Sequence, residues 1–83
     1  MKLFLISQIQ NDDYDTYHEA VVCAPDAETA RNMNPSNGKF IDEWGLDITN
    51  IWCSAPEQVV VRYIGESADG MEQGVVCVSF NAS

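Results

Sequence analysis

The sequence predicts an α+β fold: an antiparallel sheet of about four strands, laid out as two hairpins, with one short helix packed on it and a long central loop. Three observations predict it. Apolar, β-rich runs occupy both ends of the chain. One short helical period begins after Pro25 and stops at Asn34-Pro35. Between the two halves lies a stretch with no sustained period at all.

The first strand is expected over residues 3–9. Leu3, Leu5, Ser7 and Ile9 fall on one face, and Phe4, Ile6 and Gln8 on the other. Both faces start apolar, the pattern of a central strand covered on both sides. Residues 10–15, Gln-Asn-Asp-Asp-Tyr-Asp, form a turn cluster, and 16–23 make the return arm of a hairpin. Asp26 is a good helix N-cap because its carboxylate can accept a free first-turn amide. Glu28 suits the positive end of the helix dipole and Arg31 the negative end. Ala27, Ala30 and Met33 give a narrow apolar stripe, and Pro35 ends the helix. So short a helix must lie on the sheet to persist. Residues 35–58 are expected to form a long loop, holding a short strand or helical turn around 40–44 or 48–52. Residues 59–64 and 75–80 read as a second hairpin, with Ala68-Asp69-Gly70 as its turn signal.

At 83 residues the chain is a single domain, 1–83. Hydrophobic residues make up 46% of it, too many for intrinsic disorder. Thirteen acidic side chains against four basic ones leave a formal net charge of -9. Direct nucleic-acid binding needs a basic footprint and is not expected; nor is binding to an anionic membrane. No apolar run approaches the roughly 20 residues of a membrane span. The apolar start at residues 3–6 breaks at Ser7-Gln8, too soon for the core of a secretion signal. A cytoplasmic protein with reduced thiols is therefore expected. A domain this small usually carries a staple, and homo-oligomerisation is favoured here.

The chemistry-bearing residues point to binding rather than catalysis. Cys23, Cys53, Cys77 and His18 contain no closely spaced metal-ligand pair, so no metal and no cofactor are expected. Asp12, Asp13 and Asp15 lack the spacing of a calcium loop. The single histidine and the absence of a nucleophile motif leave no catalytic residue to name. The central loop is more informative. Phe40, Trp44 and Trp52 fall close together among Ile41, Leu46, Ile48 and Ile51. Such residues either seal the sheet or form an interface, and one loop can do both with its two sides. Asp42, Glu43 and Asp47 lie among them. Together Trp44, Trp52, Asp42, Glu43 and Asp47 form the candidate contact set for a basic partner.

Residues 2–8, 14–17, 20–31, 63–66 and 75–82 carry a resemblance. Across them the chain resembles a family of short acidic proteins encoded by tailed phages and prophages. The resemblance spans both ends, leaves 35–58 variable and includes no catalytic motif. It implies an accessory protein acting in the host cytoplasm. Two kinds of counter-defence fit. One is an anti-CRISPR-like inhibitor, whose acidic, aromatic surface occupies a site on a bacterial defence protein meant for nucleic acid. The other is a sponge that sequesters a nucleotide immune signal as a homo-oligomer, with Arg31, Lys39 and Arg62 holding phosphate and Trp44 stacking on a base. A phage structural or morphogenesis accessory protein is a third candidate.

Overall fold

The structure, a computed structural model, describes residues 1–11 and 15–81, and of Leu46 and Asn81 the backbone alone. Strand β1 spans Lys2–Ser7, β2 Thr16–Ala24, β3 Val60–Glu66 and β4 Gly74–Asn81. They form one antiparallel sheet in the order β3-β1-β2-β4. This is the α+β class expected, with a short helix on a four-stranded antiparallel sheet. Strands β1 and β2 pair as a hairpin, with Phe4 opposite Val22 and Ile6 opposite Ala20. The tip expected at Asp12, Asp13 and Tyr14 lies outside the described residues, as does the tail at Ala82 and Ser83.

The second expected hairpin does not form. Strand β3 pairs with β1 and β4 with β2, so the two lie at opposite edges. This gives the apolar strand β1 a hydrogen-bonded neighbour on each side. The connection over residues 67–73 crosses three strand spacings, roughly 14 Å. Seven extended residues reach roughly 23 Å, so the crossing is unstrained. The amide and hydroxyl of Ser67 donate to the Met1 carbonyl at 3.0 and 2.9 Å, pinning the crossing to the start of β1.

Helix α1 covers Ala27–Arg31, and the Asp26 carboxylate accepts from the Thr29 amide at 2.7 Å. The helix stops short of Met33. Asn32 caps it, and Met33 instead makes an isolated antiparallel bridge to Phe40. The tight turn between them needs Gly38, whose φ of 75° favours glycine and whose missing Cβ leaves room for the Gly74 backbone. Helix α2, Leu46–Thr49, and a 3-10 turn, Pro56–Gln58, then punctuate the long segment.

The core lies on one face of the sheet. Phe4, Ile6, Ala20 and Val22 project from the strands; Ala30, Met33, Ile41, Ile48, Trp52 and Val59 cover them. The segment read as a loop is thus the second layer of the domain, built largely from irregular backbone. Arg31 ties the helix to this layer, its Nη1 donating to the carbonyls of Pro56 at 3.1 Å and Val59 at 2.6 Å. Among the described residues, the other face of the sheet is open except at Cys23, which lies opposite Leu3 and is fully enclosed, its Sγ 3.8 Å from the Met1 sulfur. Leu3 and Leu5 are only partly buried there, so β1 is not enclosed on both sides within one chain.

Candidate protein-binding surface

The candidate surface is built by two anchors and the chain between them. Ile41 and Ile48 are each buried in the core. Residues 42–47 must bow outward between these points. Gly45, with φ 130°, turns the chain into α2. The Thr49 hydroxyl then donates to the Gly45 carbonyl, and the Trp52 amide to the Ile48 carbonyl at 2.7 Å. The bow leaves Asp42, Glu43 and Asp47 exposed, while Trp44 packs half-buried against the edge of the core.

Two open concavities flank these carboxylates. The larger, about 780 Å³, is lined by Asp42, Glu43, Trp44, Asp47, Thr49 and Asn50, together with the Gly45 backbone. The smaller, about 430 Å³, is lined by the same Asp42, Glu43 and Asp47 and by Lys39 and Phe40 among others. The carboxylates therefore form a rib between two hollows. Phe40 stands beside it with 67% of its surface exposed. No lysine or arginine lines the larger hollow among the described residues. Such a rib attracts guanidinium and ammonium groups, and the aromatic faces beside it suit their stacking.

The structure brings together four of the five expected contact residues: Asp42, Glu43, Trp44 and Asp47. Trp52 is corrected. Its side chain is fully enclosed, so it belongs to the core and contacts no partner. Its Nε1 is buried without a hydrogen-bond acceptor among the described residues. Phe40 replaces it as the exposed aromatic. Its signal in the sequence was only its place after the Asn37-Gly38 turn, where a bridge to Met33 fixes it at the surface.

The cations considered for phosphate are not gathered in one chain. Arg31 is occupied by two main-chain carbonyls. Lys39 lines the smaller hollow. Arg62 pairs across the sheet with Leu5, on the uncovered face. Among the described residues, no three of the His, Cys, Asp and Glu side chains converge to hold a metal. Cys23 and Cys53 are buried and Cys77 is exposed. Desolvation pushes the Cys53 thiol up from its ordinary pKa. His18 is exposed beside a further hollow of about 540 Å³ with Ser7, Glu19 and Ser79.

No protein-family model, no curated protein and no solved structure matches the chain. No helix among the described residues is long and apolar enough to cross a membrane.

Proposed function

We propose that this chain is a non-catalytic binding protein, phage-encoded, that inhibits a bacterial defence protein by occupying its basic, nucleic-acid-binding surface. One observation carries this reading: Asp42, Glu43 and Asp47 form a shared rib between two hollows, flanked by Trp44 and Phe40. A row of carboxylates with aromatic faces beside it offers a basic groove the charge of a phosphate backbone. The net charge of -9 adds long-range attraction to such a partner and speeds encounter.

The test is affinity capture from lysate of defence-bearing bacteria, with the wild-type chain and an Asp42→Asn/Glu43→Gln/Asp47→Asn variant run side by side. The expected catch is a nucleic-acid-binding defence subunit, retained at low salt and released as salt rises. The Debye length shrinks from about 10 Å at 0.1 M to about 3 Å at 1 M, which screens an exposed charge contact. Added DNA or RNA competes for the subunit if the two share a site. Equal capture by the neutralised variant sinks the proposal. A nucleotide carried through purification by the wild-type chain turns the assignment to the sponge.

A further inference from the structure

The uncovered face of the sheet is the place where one chain is incomplete. Strand alternation puts Leu3, Leu5 and Ser7 of β1 on this face, with Cys23, Val21 and Glu19 of β2 beside them; Met1 already encloses Cys23 at one end, and the rest is open. Val60, Arg62 and Ile64 extend it at one edge, and Cys77 and Ser79 at the other. Val60 is 60% exposed and Ile64 46%. The sequence of β1 is that of a strand covered twice, yet its own chain covers it once. We propose that a second copy of this chain covers the open face, forming a twofold homodimer by sheet-on-sheet packing.

Charge selects a second copy. The chain carries -9, so most of its surface repels its own kind. Among the side chains that alternation assigns to this face, the charged ones are Arg62 and Glu19, and the face is neutral. Their positions are also self-complementary. In an ideal sheet, with about 4.8 Å between strands and about 6.8 Å between same-face neighbours, each lies roughly 7 Å from the midpoint between Leu5 and Val21. A twofold axis through that midpoint, lying in the interface, sets Arg62 of each copy over Glu19 of the other. Four strands about 20 Å long give roughly 400 Å² of projected area per chain, or roughly 800 Å² for the pair before side-chain relief. That is below the roughly 1,200–2,000 Å² of a standard specific interface, so the dimer is a weak one that dissociates on dilution. The acidic rib lies on the covering segment of each chain, away from this face, so a dimer presents it twice.

Sedimentation of the full chain across a dilution series tests this, together with alkylation of Cys77, the exposed thiol on the same face. Mass is expected to double as concentration rises, while Cys77 labelling slows. Leu5→Lys should raise the dimer dissociation constant at least about tenfold. Arg62→Glu or Glu19→Arg alone should weaken the dimer, and the two together should restore it, an outcome that a folding defect does not mimic. Near-UV circular dichroism of the buried Trp52 checks that each variant is folded. The proposal is overturned by a monomer of 9.2 kDa at every concentration. It is equally overturned by a dimer that ignores Leu5→Lys or leaves Cys77 reactive, since another surface would then hold it.

Discussion

The side-chain amide of Asn11 donates to the main-chain carbonyl of Trp52 at 3.1 Å, and to that of Thr49 at 2.6 Å. The loop leaving β1 is thereby stapled to the end of α2. Gln8 supports it from beneath: its side chain is almost fully buried, its Nε2 donates to the carbonyls of Asn11 and Tyr17, and its Oε1 accepts the Asn11 amide. Asn11→Ala leaves two carbonyls without this donor. A loss of about 1–3 kcal/mol is expected, measured as a lower urea midpoint at an unchanged slope. An unchanged midpoint means that water replaces the amide at no cost.

Trp44 and Trp52 have opposite fates on mutation. Trp52 is fully enclosed, and replacing it with Ala opens a large cavity at a cost of about 3–5 kcal/mol. For a domain of 83 residues the total stability is on the order of 4–12 kcal/mol. Trp52→Ala is therefore expected to melt far lower or not fold. Trp44→Ala removes a half-buried ring at the rim of the acidic hollow. It is expected to keep a cooperative transition while weakening partner capture. Thermal melts of both variants beside the capture assay separate the roles; a Trp44 variant that also fails to fold would assign that ring to the core.

These contrasts mark what was legible in the sequence. Strands β1 and β2 were, because a period of two shows through Phe4, Ile6 and the return run at 16–23. The N-cap at Asp26 was too, since it is a local bond to Thr29. The partner of β3 was not. The signal at Ala68-Asp69-Gly70 says that the chain turns, but strand pairing is settled by which neighbours satisfy β1 and β2 across the whole sheet. The role of Trp52 was hidden for a related reason: residues 35–58 cover the core with single anchors at Ile41, Ile48 and Trp52, joined by irregular backbone, so no period separates inward from outward residues. Charge survived this better than hydrophobicity. Asp42, Glu43 and Asp47 were expected at a surface, and they are there.

Arg31 acts as a clasp between α1 and the segment before β3. Arg31→Met keeps most of the apolar stem and removes the donors to the Pro56 and Val59 carbonyls. A loss of about 1–3 kcal/mol is expected. Partner capture should be retained at temperatures where the variant is folded, because the rib at 42–47 is anchored separately. Amide exchange should speed first in α1 and around 56–59. Lost capture by a folded variant would instead make Arg31 part of the binding surface.

Stability should carry an acid limb from Asp26. Hydrogen bonds from Thr29 hold its carboxyl below the ordinary carboxylate range. A group with a depressed folded-state pKa contributes above its unfolded value, about 3.9, and loses that contribution as pH falls through the folded value. Asp26→Asn keeps an oxygen acceptor for the cap but has no proton to take up. Melting temperatures of the two proteins are expected to diverge near neutral pH and converge in acid, once pH has fallen through the lowered folded-state value. Parallel curves across that range would place the acid sensitivity elsewhere.

Thiol chemistry tests the burial pattern with the chain as it stands. Cys23 is enclosed, with its Sγ against the Met1 sulfur at 3.8 Å, and Cys53 is buried with its Sγ–H directed at the Ala55 carbonyl at 3.6 Å. The thiolate is the reactive form, and burial raises the pKa of the Cys53 thiol, so that residue is protected by access and by charge together. Cys77 is exposed on β4. Dilute native protein is therefore expected to release one equivalent of chromophore quickly from an aromatic disulfide reagent, and the other two only after denaturant opens the core. Peptide mapping of the first label assigns it. A first label on Cys53 would mean that the covering segment lifts off the sheet more readily than its anchors at Ile48 and Trp52 allow.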